Sequence, residues 1–244
     1  MSLFAGLDTS VSVEVEEEKL GSGNFGITET GVYDFVVEMA YGGQSDSGAY
    51  FIDVTLKTED GKKFQMRDYI TSGTSKGVRP YYIDKNGKQK ALPGYARINS
   101  MDVLLTGNTA QYPLTETKQI PLWNREAEKE VLTPAEVVTG WIGKPITGLM
   151  RMTREFKRKK NEATGKWEDT TETIDKPEVV HFVDAVTGQT RAEKLSGSEA
   201  KVKDQFIQRY KPDYVLDRTK GKGKPAAEST TAEAPANPFA KAGA

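Results

Sequence analysis

Directly after Gly31, residues 32–39 (Val32-Tyr33-Asp34-Phe35-Val36-Val37-Glu38-Met39) concentrate β-branched and aromatic side chains and predict a first strand. Glycine, serine and glutamine over 42–48 predict a turn. Apolar and polar positions then alternate from Tyr50 to Lys57, with Tyr50, Ile52, Val54 and Leu56 on one face and Phe51, Asp53, Thr55 and Lys57 on the other. The Asp60-Gly61 pair predicts a hairpin, and residues 63–70 return as a third strand. Its Phe64 and Met66 point one way, while Lys63, Gln65, Arg67 and Tyr69 point the other. That second face is basic and aromatic, more than a strand facing only solvent requires.

Residues 71–90 make a long connection, with a hairpin of its own predicted around Asn86-Gly87. A helix is expected over 99–105, ending at Gly107. Thr133-Pro134-Ala135-Glu136 reads as a capping box with proline in the first turn, so a second short helix is expected there, closed by Gly140. Residues 145–159 predict a long fourth strand, and its partner runs from near Trp167 to Val183 with an interruption left open at Pro177. Beyond Thr190, Leu195, Val202, Phe206 and Tyr210 fall roughly on one helical stripe. Three strands, a helical insertion and two further strands follow the order of an OB-fold barrel, which binds oligonucleotides on one face. The expected fold is therefore mainly β: an OB-fold-like five-stranded Greek-key barrel with extra hairpins, helical insertions and a C-terminal helix. Residues 1–30 are expected to be a flexible acidic arm, 31–190 the barrel, 191–219 a helical extension and 220–244 a disordered tail.

The formal net charge of −1 speaks against a nucleic-acid partner until its distribution is considered. Residues 62–97 hold nine Lys/Arg against two Asp/Glu, and residues 144–167 hold eight against two. Segregation of this kind makes local positive fields that the total conceals. Each window also carries aromatic rings, and cations with exposed rings are what a sequence-tolerant binder of single strands needs. The candidate contacts are Lys63, Arg67, Tyr69, Lys76, Arg79, Tyr81, Tyr82, Lys85, Lys88 and Lys90 in the first window. The second window adds Arg151, Arg154, Phe156, Lys157, Arg158, Lys159, Lys160 and Trp167. Lys76, Arg79, Lys85, Lys88, Lys90, Arg151, Arg154, Lys157, Arg158, Lys159 and Lys160 would neutralise phosphates, and Tyr69, Tyr81, Tyr82, Phe156 and Trp167 would stack on bases.

Other chemistries find little support. Gly21-Ser22-Gly23-Asn24-Phe25-Gly26 has the spacing of a nucleotide-binding glycine loop, yet an acidic run precedes it, and no His-Arg-Asp or Asp-Phe-Gly segment follows. With no cysteine and a single histidine, thiol catalysis and thiolate metal sites are excluded. His181, within Val-His-Phe-Val-Asp, reads as a partly buried core residue. No apolar run is long enough to span a membrane. Neither an enzyme nor a cofactor is expected.

Thr71-Ser72-Gly73-Thr74-Ser75-Lys76-Gly77, followed by Tyr81-Tyr82-Ile83-Asp84-Lys85-Asn86-Gly87-Lys88 and Leu92-Pro93-Gly94, resembles the single-stranded DNA-binding proteins of tailed bacteriophages. Phe182-Val183-Asp184-Ala185-Val186-Thr187-Gly188-Gln189-Thr190 is similar to the segment after the last barrel strand in that group. The resemblance covers about residues 31–210 and is most specific over 76–94. It implies an OB-fold, binding of single-stranded DNA without sequence preference during phage replication or recombination, and no catalysis. It further implies the cytoplasm of the infected bacterial host, self-association on DNA, and replication or recombination proteins as partners through the C-terminal tail. Here the chain departs from the family, because residues 220–244 carry four lysines against two glutamates where many relatives end in acid. Only Pro238-Phe239 matches the family's terminal apolar residues, and the acidic Glu14–Glu18 run is an alternative competitor for the groove. The rival reading from another class is a β-rich virion or assembly protein, and a nuclease using scattered carboxylates with Mg²⁺ stands third.

Overall fold

The strand alternation read above builds the centre of the fold. In the computed structural model, which describes residues 26–109, 112–124 and 127–220, Ile52, Val54 and Leu56 of one strand are buried together. The acidic arm up to residue 25, its glycine loop and the tail from residue 221 lie outside the described residues.

Strand β1 (Gly31–Gln44) is long and bulged between Val37 and Met39. Its first half pairs antiparallel with β8 (Pro145–Lys160), and its second half pairs with β2 (Tyr50–Lys57) on the opposite edge. Strand β3 (Lys63–Tyr69) returns beside β2, and β9 (Trp167–Val183) returns beside β8. The ladder thus reads β3-β2-β1-β8-β9. A ribbon of β6 (Glu116–Asn124) and β7 (Lys129–Val137) joins β1 only at Tyr41 and Gly42. Strand β10 (Val215–Asp217) runs parallel to β8 just beyond the end of β1. A separate small hairpin is formed by β4 (Tyr81–Ile83) and β5 (Gln89–Ala91).

Helix α1 (Pro93–Thr106) starts on proline and stops at Gly107, whose φ of 74° suits a left-handed cap. Its Ile98, Met101, Leu104 and Leu105 pack on Phe35, Val37, Phe64, Trp141, Ile146 and Phe182 in one apolar core. Burying each such side chain contributes about 1.5–3 kcal/mol. Asp102 is also buried there; its carboxylate accepts from Trp141 Nε1 at 2.8 Å and Asn108 Nδ2 at 2.7 Å. Two short helices follow β9, α2 (Arg191–Ser196) and α3 (Lys201–Arg209). Val202, Phe206 and Tyr210 pack against Leu149 and Val183 on the far face of the sheet.

The fold is mainly β with antiparallel pairing, as expected, but the five-stranded barrel does not close. Among the described residues, strand β3 pairs only with β2. Between β3 and β9 lies a cleft of about 260 Å³ lined by Phe64, Gln65 and Met66 on one bank and residues 176–179 on the other. Helix α1 packs against both strands, and its Arg97 reaches into this cleft to hold Asp68 of β3 at 2.6 Å.

Other expectations are corrected. Residues 133–136 form part of β7, not a helix: nine residues pair in register with β6, and Glu136 accepts from the Thr115 and Thr117 hydroxyls. The turn expected over 42–48 is shorter, because β1 continues to Gln44. Pro177 does not break β9; the register shifts at Val180, between the pairs of Leu149 and Met150, and again between those of Phe156 and Arg158. The C-terminal stripe is split by Gly197, so Leu195 is left exposed. His181 alternates with the buried Phe182 and is itself exposed, not a core residue.

Candidate nucleic-acid interface

Six of the candidate contacts come together at the C-terminal end of β3. Arg67, Tyr69, Lys76, Arg79, Tyr81 and Tyr82 line one open groove of about 780 Å³. Strand β3 supplies the floor, the loop 71–79 one wall and β4 the other.

Local chemistry shapes that loop. Ser72 pins its neck, donating its N–H to the Arg79 carbonyl at 2.8 Å and accepting the Arg79 N–H on Oγ at 3.0 Å. Thr74 donates its N–H to the Ser47 carbonyl at 2.8 Å, which ties the loop to the β1–β2 turn. At the far end, a Cβ on Gly94 would lie 2.4 Å from the Tyr69 carbonyl oxygen, so glycine is what lets α1 start against β3. Val78 has a φ of 49°, a costly conformation for a β-branched residue, and it immediately precedes Arg79. The β4–β5 turn is ordered by Asp84, which accepts the Asn86 N–H at 2.8 Å and the Lys88 N–H at 3.0 Å, and pairs with Lys90 at 3.2 Å.

Charge is distributed unevenly among these cations. Lys63 pairs with Glu38, Lys90 with Asp84, and Arg67 makes a two-pronged bond to Asp53 at 2.7 and 2.6 Å. Arg67 also lies 3.9 Å above the Phe51 ring, and that ring meets Tyr69 edge-on at 5.9 Å. The Asp53 bond raises the Arg67 pKa further, and burial with the Asp53 carboxylate pushes the Tyr41 hydroxyl up to about 12. This outer face is therefore a rigid platform ending in Tyr69, which is 44% exposed beside a 46% exposed Tyr82. Lys76, Arg79, Lys85 and Lys88 are exposed and carry no ion pair among the described residues. Arg79 lies 5.9 Å from the Tyr81 ring centre.

The second window behaves differently. It occupies the projecting half of the β8–β9 hairpin, where the paired strand is acidic. Over residues 151–178 eight cations face seven carboxylates. Arg151 pairs with Glu178, Arg154 with Asp175, Lys157 with Glu172 and Arg158 with Asp169. Glu178 also holds Arg218, which follows β10, at 2.8 Å. Arg158 to Lys160 with Lys157 border a hollow of their own at the hairpin tip, and no residue of 151–167 lines the groove at β3. Phe156 is half-buried on this hairpin and Trp167 is exposed near its tip.

Missed as contacts were Ser47, which carries no charge to draw attention, and Asp68, a groove carboxylate held by Arg97. The ribbon β6–β7 was likewise unread, although it exposes Trp123 and Leu132. Among the described residues, no three His, Asp or Glu side chains gather as a metal site, and no helix is long and apolar enough to cross a membrane. No known family model matches this chain, and no curated protein matches it either.

Proposed function

We propose that this chain holds single-stranded DNA, largely without regard to sequence, in the groove between β3, the loop 71–79 and the β4–β5 hairpin. Among the described residues, Lys76 and Arg79 line a groove edged by Tyr69, Tyr81 and Tyr82 without carboxylate partners, with Lys85 and Lys88 likewise unpaired on the adjoining β4–β5 turn, and this single observation carries the reading. Unpaired cations release counterions when phosphates bind, whereas cations already held by carboxylates gain little. Exposed tyrosines on a rigid platform offer a stacking surface that accepts any base. In this reading the ladder β3-β2-β1-β8-β9 is an OB-like barrel left open at its β3–β9 seam. The setting is phage DNA replication or recombination in the infected cell, and the chain acts without catalysis.

Anisotropy of a labelled oligo-dT tests the proposal. Binding is expected for the full chain, with a loss of at least about tenfold in the double variant Lys76→Glu, Arg79→Glu. Unchanged affinity in that variant, with its circular dichroism intact, would refute the assignment. Intrinsic tryptophan emission is a poor reporter, because Trp141 is buried and neither Trp123 nor Trp167 lines the groove.

A further inference from the structure

The β6–β7 ribbon stands apart from the site. It touches the rest of the sheet mainly where Val137 and Glu136 meet Tyr41 and Gly42. A two-stranded ribbon is only marginally stable in water, and this one also spends apolar surface on solvent. Pairing Trp123 with Glu130 and Pro121 with Leu132 puts these four on one face, and all are exposed: Trp123 by 66% and Leu132 by 68%. The other face turns Ile120 inward. Pro121 and Pro134 withhold the N–H groups that a further strand would need, so the ribbon is built against edge addition and open to contact through its face.

Charge identifies what that face fits. The register puts Glu130 and Glu136 and no Lys or Arg of the two strands on that face, and Glu130 beside Trp123 carries no ion pair among the described residues. Phosphate is repelled by such a surface. A cationic, aromatic cleft is attracted by it, and the groove at β3 is one, with Lys76 and Arg79 unpaired beside Tyr69 and Tyr82. We infer that the outer face of the β6–β7 ribbon docks into the β3 groove of a second copy of this chain, Trp123 against the tyrosines and Glu130 against Arg79. The contact joins two different surfaces, so copies associate head to tail. It also occupies the groove, so self-association and nucleic acid exclude one another. The inference uses the groove's charge and rings and stands whether or not DNA is their ligand.

Sedimentation velocity of the full chain at low salt tests it. Concentration-dependent association is expected, weakened at least about tenfold by Glu130→Arg alone and by Arg79→Glu alone. An equimolar mixture of those two variants regains association, because the reversed arm of one meets the reversed groove of the other. Trp123→Ser, at an exposed position that leaves the fold intact, weakens it as well. Saturating oligo-dT dissolves the assembly. The inference is overturned by association that ignores Arg79→Glu or persists with oligo-dT bound, which would mean ribbon packing on ribbon. A chain that stays monomeric to about 100 µM overturns it too. If the mixture restores association while oligo-dT fails to bind at all, the DNA reading falls and this one stands.

Discussion

At the scale of single residues, Arg67 and Arg79 show how context divides identical side chains. Arg67 has its fork filled by Asp53 and its plane laid on Phe51, whereas Arg79 lines the groove with no carboxylate partner among the described residues. Tyr69→Ala and Tyr82→Ala are each expected to weaken oligo-dT binding by about 1–3 kcal/mol, measured by anisotropy at fixed salt. Arg67→Lys should keep the charge but lose the two-pronged bond, and its effect on binding should pass through Tyr69. Asp184 offers a separate test outside the groove. Burial works against its charge, but Lys194 at 2.6 Å and the N–H groups of Thr187 and Val186 prevail, and its pKa falls from 3.8 to about 2. A depressed carboxylate stabilises the fold above its unfolded pKa and loses that contribution as pH drops through the folded one. Between pH 4 and 2, therefore, the wild type should lose on the order of 1–2 kcal/mol that Asp184→Asn lacks throughout, read from urea midpoints across the pH series.

At the scale of elements, the β8–β9 hairpin shows what a count along the chain cannot see. Its Lys/Arg run was legible, but the carboxylates that neutralise it come from β9, beyond the window and across the ladder. Lys157→Glu should consequently leave oligo-dT affinity within about twofold, while removing one exposed ion pair with Glu172 worth at most about 1 kcal/mol. The same substitution at Lys76 should weaken binding severalfold or more, and equal effects at both positions would place the hairpin in the interface. Strands β1, β2, β3, β8 and β9 were readable because one face of each is apolar with a period of two, or because β-branched residues cluster. Strands β6 and β7 were not, since Glu, Lys and Pro dilute their pattern and Thr133 to Glu136 mimics a helix start. Pairing decided against that local signal. The β4–β5 hairpin was found correctly, because Asn86-Gly87 demands a positive φ and Gly87 adopts 76°.

At the scale of the molecule, the fold neutralises part of the positive charge that the two basic windows offer. Eleven cations were candidates for the phosphate backbone from the sequence: Lys90, Lys76, Arg79, Lys85, Lys88 and the six on β8. The fold pairs Lys90 and at least four of those on β8, Arg151, Arg154, Lys157 and Arg158; among the described residues it leaves unpaired Lys76 and Arg79 on the groove and Lys85 and Lys88 on the adjoining hairpin turn. The two accounts differ in a measurable way. Each phosphate neutralised on a single strand contributes about 0.7 to the slope of log affinity against log salt. All eleven cations acting together would give a slope of about −8, whereas the four on the loop 71–79 and the β4–β5 turn give about −3. Oligo-dT titrations between about 50 and 500 mM NaCl separate these values easily, since the steeper slope would weaken binding by about eight decades and the shallower by about three. A slope of about −3 that falls by about 0.7 with Lys85→Ala, and stays put with Lys160→Ala, would tie the bound strand to the groove at β3. A slope near −8 would instead mean that the ladder on β8 and β9 opens its ion pairs to receive phosphate, and that the strand runs along the hairpin as well.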